Sequence, residues 1–302
     1  MERLLALLVL LVWGGAAAAA PDPGKLQLAS VHAVVASLDA DAPLVAKNAD
    51  RPVPIASLTK LMTALVAVES GEPLDEWLTV VKRSRKTPNN AYSRIRIDSQ
   101  LQRGELLRLA LMSSENLAAH VVASHHPGGR EAFIAAMNAK AEALGMSQSR
   151  FVDPSGLSPG NRASALDLLK LLKAAYAHPE IRKYSTTRYL SARFRKPRYR
   201  LGYGNTNPLV SSSRWDVQLT KTGYLTEAGR CLAMVVELED RPMAVVLLDS
   251  FGSRSPVGDA GRIRRWLATG AGGTVAPLAA RYERERSAAY QQARAEEDEA
   301  VR

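Results

Sequence analysis

The chain has 302 residues, of which 46% are hydrophobic, and its formal net charge at pH 7 is +10. This hydrophobic share supports a packed core in one large domain or two closely associated ones. The single cysteine, Cys231, excludes an internal disulfide. The positive charge favours anionic surroundings such as cell-wall polymers or membrane surfaces. We expect no nucleic-acid partner, because basic and aromatic residues interleave only at 193–203.

The first 20 residues have the layout of a secretory signal peptide. Glu2 and Arg3 precede an apolar run from Leu4 to Trp13, and small residues follow at 14–20. The apolar run is shorter than the roughly 20 residues that a membrane-spanning helix needs. We therefore predict that residues 1–20 are removed and that the mature chain works in the periplasm or outside the cell.

Two short strands and a helix are predicted next. Alternating and β-branched residues indicate strands at 30–36 and 43–47, joined by an aspartate-containing turn. Apolar residues then recur at helical spacing from Ser57 to Glu69. Ser57 and Lys60 are three residues apart, so they share a helix face and their hydroxyl and amine can meet.

This serine–lysine pair has two interpretations. A serine becomes a good nucleophile when a neighbouring base takes its proton, and a lysine whose pKa is lowered by burial can be that base. Ser57 also stands at the helix start, where unpaired N–H groups favour developing negative charge. In the alternative interpretation Ser57 only caps the helix and Lys60 is solvated.

A polar turn at residues 112–116 separates two further predicted helices. It would present the side chains of Ser114 and Asn116 from one edge. Ser114 could pass a proton between Lys60 and a leaving amine, and Asn116 could hydrogen-bond a substrate amide or hold Lys60. Alternatively, Ser114 caps the next helix. The histidines that follow match no metal-binding helix motif, so we expect neither a metal nor a cofactor.

The remaining elements are predicted from periodicity and turn residues. Residues 191–203, rich in Arg, Lys and Tyr, should form a loop or hairpin with a solvated basic surface or a contact for an anionic polymer. Two β-prone runs within 231–248, separated by a turn at 239–242, predict a hairpin. Helices are predicted at 103–112, 117–124, 131–144 and 164–177.

A strand is predicted to end in Lys221, Thr222, Gly223 and Tyr224, just before this hairpin. The lysine would supply a cation, the threonine a hydroxyl for a substrate carboxylate or carbonyl, and the glycine space for a close approach. An edge strand here could also bind a peptide by adding it to the sheet. The triplet K-T-G indicates a function only together with the two motifs that precede it in the chain.

The series S-x-x-K, S-x-N and K-T-G is typical of penicillin-binding proteins and serine β-lactamases. The chain resembles a low-molecular-mass penicillin-binding protein of the D-alanyl-D-alanine peptidase family over about residues 28–270, and the stretches 153–157 and 205–207 share the resemblance. The resemblance implies an α/β (α+β) fold. In it, a five-stranded antiparallel sheet is flanked by helices, and the active site lies between this sheet and a mainly helical subdomain.

The resemblance also implies a role for each motif residue. Ser57 would be the acylated nucleophile, Lys60 its base and Ser114 a proton shuttle. The backbone N–H groups of Ser57 and Tyr224 would form the oxyanion hole. The substrate-binding residues would be Asn116, Lys221, Thr222, Gly223 and Tyr224.

Two features favour the D,D-endopeptidase branch of the family, which cuts cross-links. Many carboxypeptidase relatives carry an arginine for the terminal carboxylate between the two asparagines of the N-x-N stretch, where this chain has Thr206. Tyr224 and the run 229–232 also resemble the endopeptidase branch. A carboxypeptidase is the alternative. A β-lactamase is disfavoured because no E-x-x-L-N stretch occurs, and an inactive wall-binding module because all three motifs are present.

We expect three parts: the signal peptide at 1–20, a catalytic domain at 25–270, and a glycine-rich linker with a charged tail at 271–302. The tail should be a solvated helix or disordered, without an apolar face wide enough for a membrane anchor. The expected partners are peptidoglycan cross-links and, as covalent inhibitors, β-lactams. In the periplasm or outside the cell, such an enzyme would remodel the cell wall.

Overall fold

A five-stranded antiparallel sheet forms the centre of the fold. The computed structural model describes residues 21–83 and 92–300, so the predicted signal peptide at 1–20 lies outside the described residues. The strands are β1 (Ser30–Ser37), β2 (Val45–Lys47), β3 (Val53–Pro54), β4 (Trp77–Thr79), β5 (Gln100–Gln102), β6 (Arg162–Ala163), β7 (Tyr189–Phe194), β8 (Tyr199–Gly204), β9 (Asp216–Leu225), β10 (Gly229–Leu238) and β11 (Arg241–Ser250). The central sheet has the order β2-β1-β11-β10-β9, so β9, which carries the K-T-G triplet, is an edge strand.

Helices cover both faces of this sheet. They are α1 (Thr59–Glu69), α2 (Arg103–Met112), α3 (Asn116–Ser124), α4 (Gly129–Ala143), α5 (Ala165–Tyr176), α6 (Pro179–Ser185), α7 (Ser255–Thr269) and α8 (Pro277–Ala300). Helix α1 is the central one, because all its residues from Thr59 to Ala67 are buried. A helix that is buried all round belongs to the interior of a large domain, so the position of its first turn is fixed by packing on every side.

The inner strands β1, β10 and β11 are buried on both faces, which explains their nearly continuous apolar sequences. Successive side chains of a strand point to opposite faces, so these strands contribute to two cores. Val34 and Val246 belong to the core that contains α1 to α5. Val35 and Val245 belong to the second core, which is closed by Trp266 of α7.

The structure confirms the predicted fold, with a five-stranded antiparallel sheet, flanking helices and a helical part beside the sheet. The predicted turn at 239–242 is two residues too long. Only Glu239 and Asp240 form the turn, with φ values of 49° and 55°, while Arg241 and Pro242 already pair with β10. Two-residue turns with positive φ match the right-handed twist of the flanking strands, which explains the tighter hairpin.

The C-terminal tail is helical, which was one of its two expected states, but the helix is only partly solvated. Part of it is the helix α8, which packs against the protein instead of standing in solvent. Glu283 forms an ion pair with Lys47 of β2 at 2.8 Å, and Tyr290 packs edge-on against buried His32 of β1 with 4.7 Å between the ring centroids. Composition could not reveal this contact, because α8 is held mainly by polar and aromatic side chains. The division of the chain into a catalytic domain at 25–270 and a separate tail stays a prediction.

Candidate active site

The three sequence motifs meet in one cleft at the edge strand β9. A cavity of about 890 Å³ opens there, lined by Ser57, Ser114, Asn116, Thr222, Gly223 and Tyr224 among others. Ser57 comes from the turn before α1, Ser114 and Asn116 from the connection between α2 and α3, and the last three from β9. The side chains of Lys60 and Lys221 are buried behind this wall.

Ser57 lies in a short 3₁₀ turn, Ala56–Leu58, directly before α1, and not within the α-helix that periodicity predicted from residue 57. Ala56 has a φ of 48°, in a region that non-glycine residues avoid. Gly156 presses against this strained turn, since a Cβ there would lie 2.0 Å from the Ala56 carbonyl oxygen and 2.9 Å from the Ser57 nitrogen. The position of Ser57 therefore depends on a glycine 99 residues further along the chain.

Lys60 is fully buried and its amine donates to three oxygen atoms. Its Nζ lies 2.8 Å from Ser57 Oγ, 2.7 Å from Asn116 Oδ1 and 2.5 Å from the Ser155 carbonyl oxygen. All three acceptors are uncharged, and burial lowers the pKa of Lys60 to about 7 against a smaller upward effect from Asp153. A lysine in this state holds a substantial free-base fraction at neutral pH and can accept the serine proton.

The loop that presents Ser155 to Lys60 is ordered by Asp153. The Asp153 carboxylate accepts hydrogen bonds from the backbone N–H groups of Ser155 at 2.7 Å, Gly156 at 2.8 Å and Ser158 at 2.8 Å. Asn161 adds a side-chain hydrogen bond to the same carboxylate at 2.9 Å. Sequence reasoning assigned no role to this loop beyond the resemblance of 153–157, although an aspartate ahead of Pro-Ser-Gly is a signal for such a turn.

Ser114 and Asn116 lie at the turn between α2 and α3. Ser114 has a φ of 60°, and the cap of α3 is Glu115, whose carboxylate accepts from the Leu117 N–H at 3.1 Å. Ser114 is therefore not the helix cap that the alternative interpretation required. Its hydroxyl is left to line the cleft, while the first residue of α3, Asn116, accepts from Lys60.

Lys221 and Thr222 lie on β9 at the other side of the cleft. Lys221 is buried, its Nζ donates to the Thr222 carbonyl oxygen at 2.8 Å, and burial together with the charge of Lys60 holds its pKa well below the usual value. The Thr222 hydroxyl donates to Thr206 Oγ1 at 2.6 Å, so these two threonines form a pair of hydroxyls at the cleft surface. Thr206 is itself fixed by the hydrogen bond from its backbone N–H to the Met112 carbonyl oxygen at 2.8 Å.

Gly223 and Tyr224 bring β9 against the turn of Ser57. A Cβ on Gly223 would lie 3.2 Å from the Ser57 nitrogen and equally close to Ala56, so a larger residue would push the strand away. Tyr224 follows at the cleft mouth with a partly exposed ring, and the Arg230 guanidinium carbon lies 4.0 Å from its centroid. Sequence reasoning included Arg230 only as a member of the run 229–232 and gave it no role, because its neighbour across the strand pair becomes known only with the register.

Among residues 21–83 and 92–300, no cluster of three or more metal-ligating side chains occurs. Likewise, the described helices include none that is both long and apolar enough to cross a membrane.

A serine in the turn before a buried helix, hydrogen-bonded to a buried lysine of lowered pKa on that helix and facing the edge of the sheet, defines a serine-dependent acyl-transfer enzyme. The sequence profile of the D-alanyl-D-alanine carboxypeptidase family matches residues 16–252, and the chain belongs to this family of serine D-Ala-D-Ala peptidases.

Two relatives are similar to nearly the whole chain. One from Pseudomonas aeruginosa, named D-alanyl-D-alanine endopeptidase, is 45% identical over 277 residues, which cover 89% of either chain. One of the same name from Escherichia coli is 44% identical over 271 residues, covering 90% of this chain and 87% of the relative. Among solved structures, penicillin-binding protein D2 from Listeria monocytogenes in its ampicillin-bound form is 27% identical, with a TM-score of 0.68 over 78% of this chain and 95% of that one.

Proposed function

We propose that this protein is a D-alanyl-D-alanine endopeptidase that cleaves peptide cross-links of peptidoglycan through an acyl-enzyme on Ser57. The observation that carries the proposal is the 2.8 Å contact between Ser57 Oγ and Lys60 Nζ, with a lysine pKa of about 7. The names of the two relatives at 44–45% identity support the choice of substrate.

In the proposed acylation, the free base of Lys60 takes the Ser57 proton as Oγ attacks the carbonyl carbon of D-alanine. The backbone N–H groups of Ser57 and Tyr224 stabilise the negative charge on the carbonyl oxygen. The carbon–nitrogen bond then breaks, and the leaving amine takes a proton through Ser114. A water molecule hydrolyses the resulting ester, which returns the Ser57 hydroxyl and releases the D-alanine carboxylate.

The other motif residues position the substrate in this proposal. Asn116 holds Lys60 and offers its amide N–H₂ to a substrate carbonyl, while Lys221 and the Thr222 hydroxyl hold the leaving side. Gly223 allows the substrate to lie flat against β9, where an edge strand offers unpaired backbone groups to an extended peptide.

A penicillin presents the same reacting carbonyl to Ser57, so β-lactams should acylate this serine and inhibit the enzyme. The ampicillin-bound form of the similar Listeria protein supports this expectation. The substrate places the enzyme at the cell wall, in the periplasm or outside the cell, where it would act in wall remodelling.

A carboxypeptidase is the second candidate, and the Thr222–Thr206 hydroxyl pair favours it, because the two hydroxyls can donate hydrogen bonds to a terminal carboxylate. The two activities differ in the leaving group. The endopeptidase releases the side-chain amine of a diamino acid, whereas the carboxypeptidase releases free D-alanine.

The test is digestion of a purified cross-linked muropeptide dimer and of a monomeric pentapeptide, with products resolved by mass spectrometry. We expect the dimer to be converted to monomers with the higher kcat/KM, and penicillin pretreatment or Ser57→Ala to stop both reactions. Faster release of D-alanine from the pentapeptide would favour the carboxypeptidase. Turnover of neither substrate by untreated, folded protein, from a preparation of which a separate sample is labelled by penicillin, would contradict both functions.

A further inference from the structure

The active-site cavity extends beyond Tyr224 to the first residues of α7. Arg230, Arg254 and Ser253 line this end, and none of the described residues lining the cavity is an aspartate or glutamate. The N-terminus of the 15-residue helix α7 adds partial positive charge to the same end. This part of the cleft is therefore suited to an anionic portion of a ligand.

Arg230 is held at the cleft wall by its neighbour on β9. The strand register places it opposite Tyr224, and its guanidinium lies 4.0 Å above the tyrosine ring. A guanidinium stacked on an aromatic face keeps the N–H donors at its edge free, and these can donate two hydrogen bonds to a carboxylate.

No carboxylate within residues 21–83 and 92–300 forms an ion pair with Arg230. The adjacent Gly229 packs closely on Asp249, since a Cβ there would lie 2.7 Å from Asp249 Oδ1. That carboxylate is already engaged by Arg286 at 2.7 Å and by the Tyr282 hydroxyl at 2.6 Å. The charge of Arg230 is thus matched by no acid of its own strand pair and faces the cavity.

The position of this end relative to the scissile bond follows from the proposed function, on which the inference rests. The oxyanion hole at Ser57 and Tyr224 would hold the carbonyl group of the acyl donor, while Thr222 and Thr206 lie on the leaving side. From Thr222 past Tyr224, the cleft therefore leads to the amino-terminal side of the donor peptide. The donor residue that precedes the reacting D-alanine would reach the Arg230 end.

We propose that Arg230 determines specificity by binding a free carboxylate on the side chain of the residue that precedes the D-alanine of the acyl-donor peptide. A diamino diacid at this position carries such a carboxylate, whereas a simple diamino acid or an amidated residue lacks it. The enzyme would then distinguish wall peptides by the charge of this side chain.

The test uses two synthetic cross-linked dimers that differ only in this group, as carboxylate or carboxamide. The wild type should cleave the carboxylate form with a kcat/KM about ten- to a hundredfold higher, the size expected for a charge-assisted bidentate contact. Arg230→Gln should bring the ratio of the two kcat/KM values close to one. Arg230→Lys should keep part of the preference for the carboxylate, because an ammonium retains the charge but cannot form the bidentate contact.

Arg193→Gln is the matched control, since Arg193 is an exposed arginine on β7 outside the cavity, and it should keep the wild-type ratio. Penicillin labelling and thermal unfolding would check that each variant is folded. If the role of Arg230 is purely structural, its substitution should lower kcat/KM equally for both dimers and leave the ratio unchanged. That result would overturn the inference. Equal cleavage of both dimers by the wild type would also overturn the inference about Arg230, but it would be consistent with the proposed function. Cleavage of neither dimer would contradict both the inference and the proposed function.

Discussion

Two buried ionisable groups, Lys60 in the cleft and Asp249 at the end of β11, have opposite kinds of partner. Both are almost fully removed from water. Lys60 is surrounded by neutral oxygen atoms, and its pKa falls to about 7. Asp249 is matched by Arg286 of α8 through two hydrogen bonds of 2.9 and 2.7 Å and by the Tyr282 hydroxyl at 2.6 Å.

The difference separates a reactive group from a structural one. A buried charge with neutral partners is destabilised, so it exchanges its proton near neutral pH. A buried carboxylate that meets an opposite charge and further hydrogen bonds contributes to stability, and removing either partner is costly. Changes around Ser57 and Lys60 should therefore affect chemistry far more than stability, and changes at Asp249 should do the reverse.

The largest effect is expected from Ser57→Ala. Loss of the nucleophile should lower peptidase activity by roughly 10⁴-fold or more, because the acyl-enzyme cannot form. Mass spectrometry after penicillin treatment should place the adduct on the wild-type peptide that contains Ser57 and find none in the variant. An adduct on another serine of the folded protein would refute the assignment.

The second effect is the pH dependence of the acylation of Ser57, for which Lys60 is the base. Its pKa lies near 7, so the ammonium form dominates below that pH and cannot accept the serine proton, while the free base dominates above it. The rate constant for acylation by penicillin should therefore rise with pH, with a midpoint near 7. Lys60→Gln should slow acylation by roughly 10²- to 10⁴-fold and abolish this rise, with exposed Lys170→Gln as the control. A rate independent of pH between 5.5 and 8.5 would contradict the assignment.

At the other site, Asp249→Ala should lower the free energy of unfolding by about 2–3 kcal/mol, since Arg286 and Tyr282 lose a buried acceptor. Arg286 is partly exposed, which keeps the loss below that of a fully buried pair. Urea unfolding would measure it. Asp50→Asn is the control, because Asp50 meets Arg294 of the same helix α8 in an exposed ion pair, and its loss should change stability by less than about 1 kcal/mol. Equal losses in the two variants would contradict a structural role specific to Asp249.

The smallest effect concerns the leaving side of the cleft. Thr206→Arg would place a guanidinium beside Thr222, where it could bind a terminal carboxylate through two hydrogen bonds. We expect kcat/KM on the pentapeptide to rise by about tenfold relative to the cross-linked dimer, at the weaker end of such contacts. Thr206→Ser keeps the hydroxyl and serves as the control. If Thr206→Arg leaves the ratio of kcat/KM on the two substrates unchanged, then the residue at position 206 does not bind the terminal carboxylate.

Local spacing in the sequence was sufficient to predict most elements of the fold and the pairing of Ser57 with Lys60. Residues three apart meet on one helical turn, and the hairpin of β10 and β11 follows from β-prone runs around a turn. The helix predicted at 164–177 is a further case, because it starts where the Ser164 hydroxyl accepts from the Asp167 N–H and caps α5. Such contacts form within a few residues, so the local pattern contains all of their partners.

Only the tertiary structure decided how these groups behave. Lys60 meets Asn116 and Ser155, which are 56 and 95 residues away, and its pKa is lowered mainly because the fold buries it. Asp249 and Arg286 meet because α8 folds back onto the sheet, and Arg230 faces Tyr224 only through the register of β9 and β10. Burial and register depend on how distant segments pack together, and no spacing along the chain encodes them.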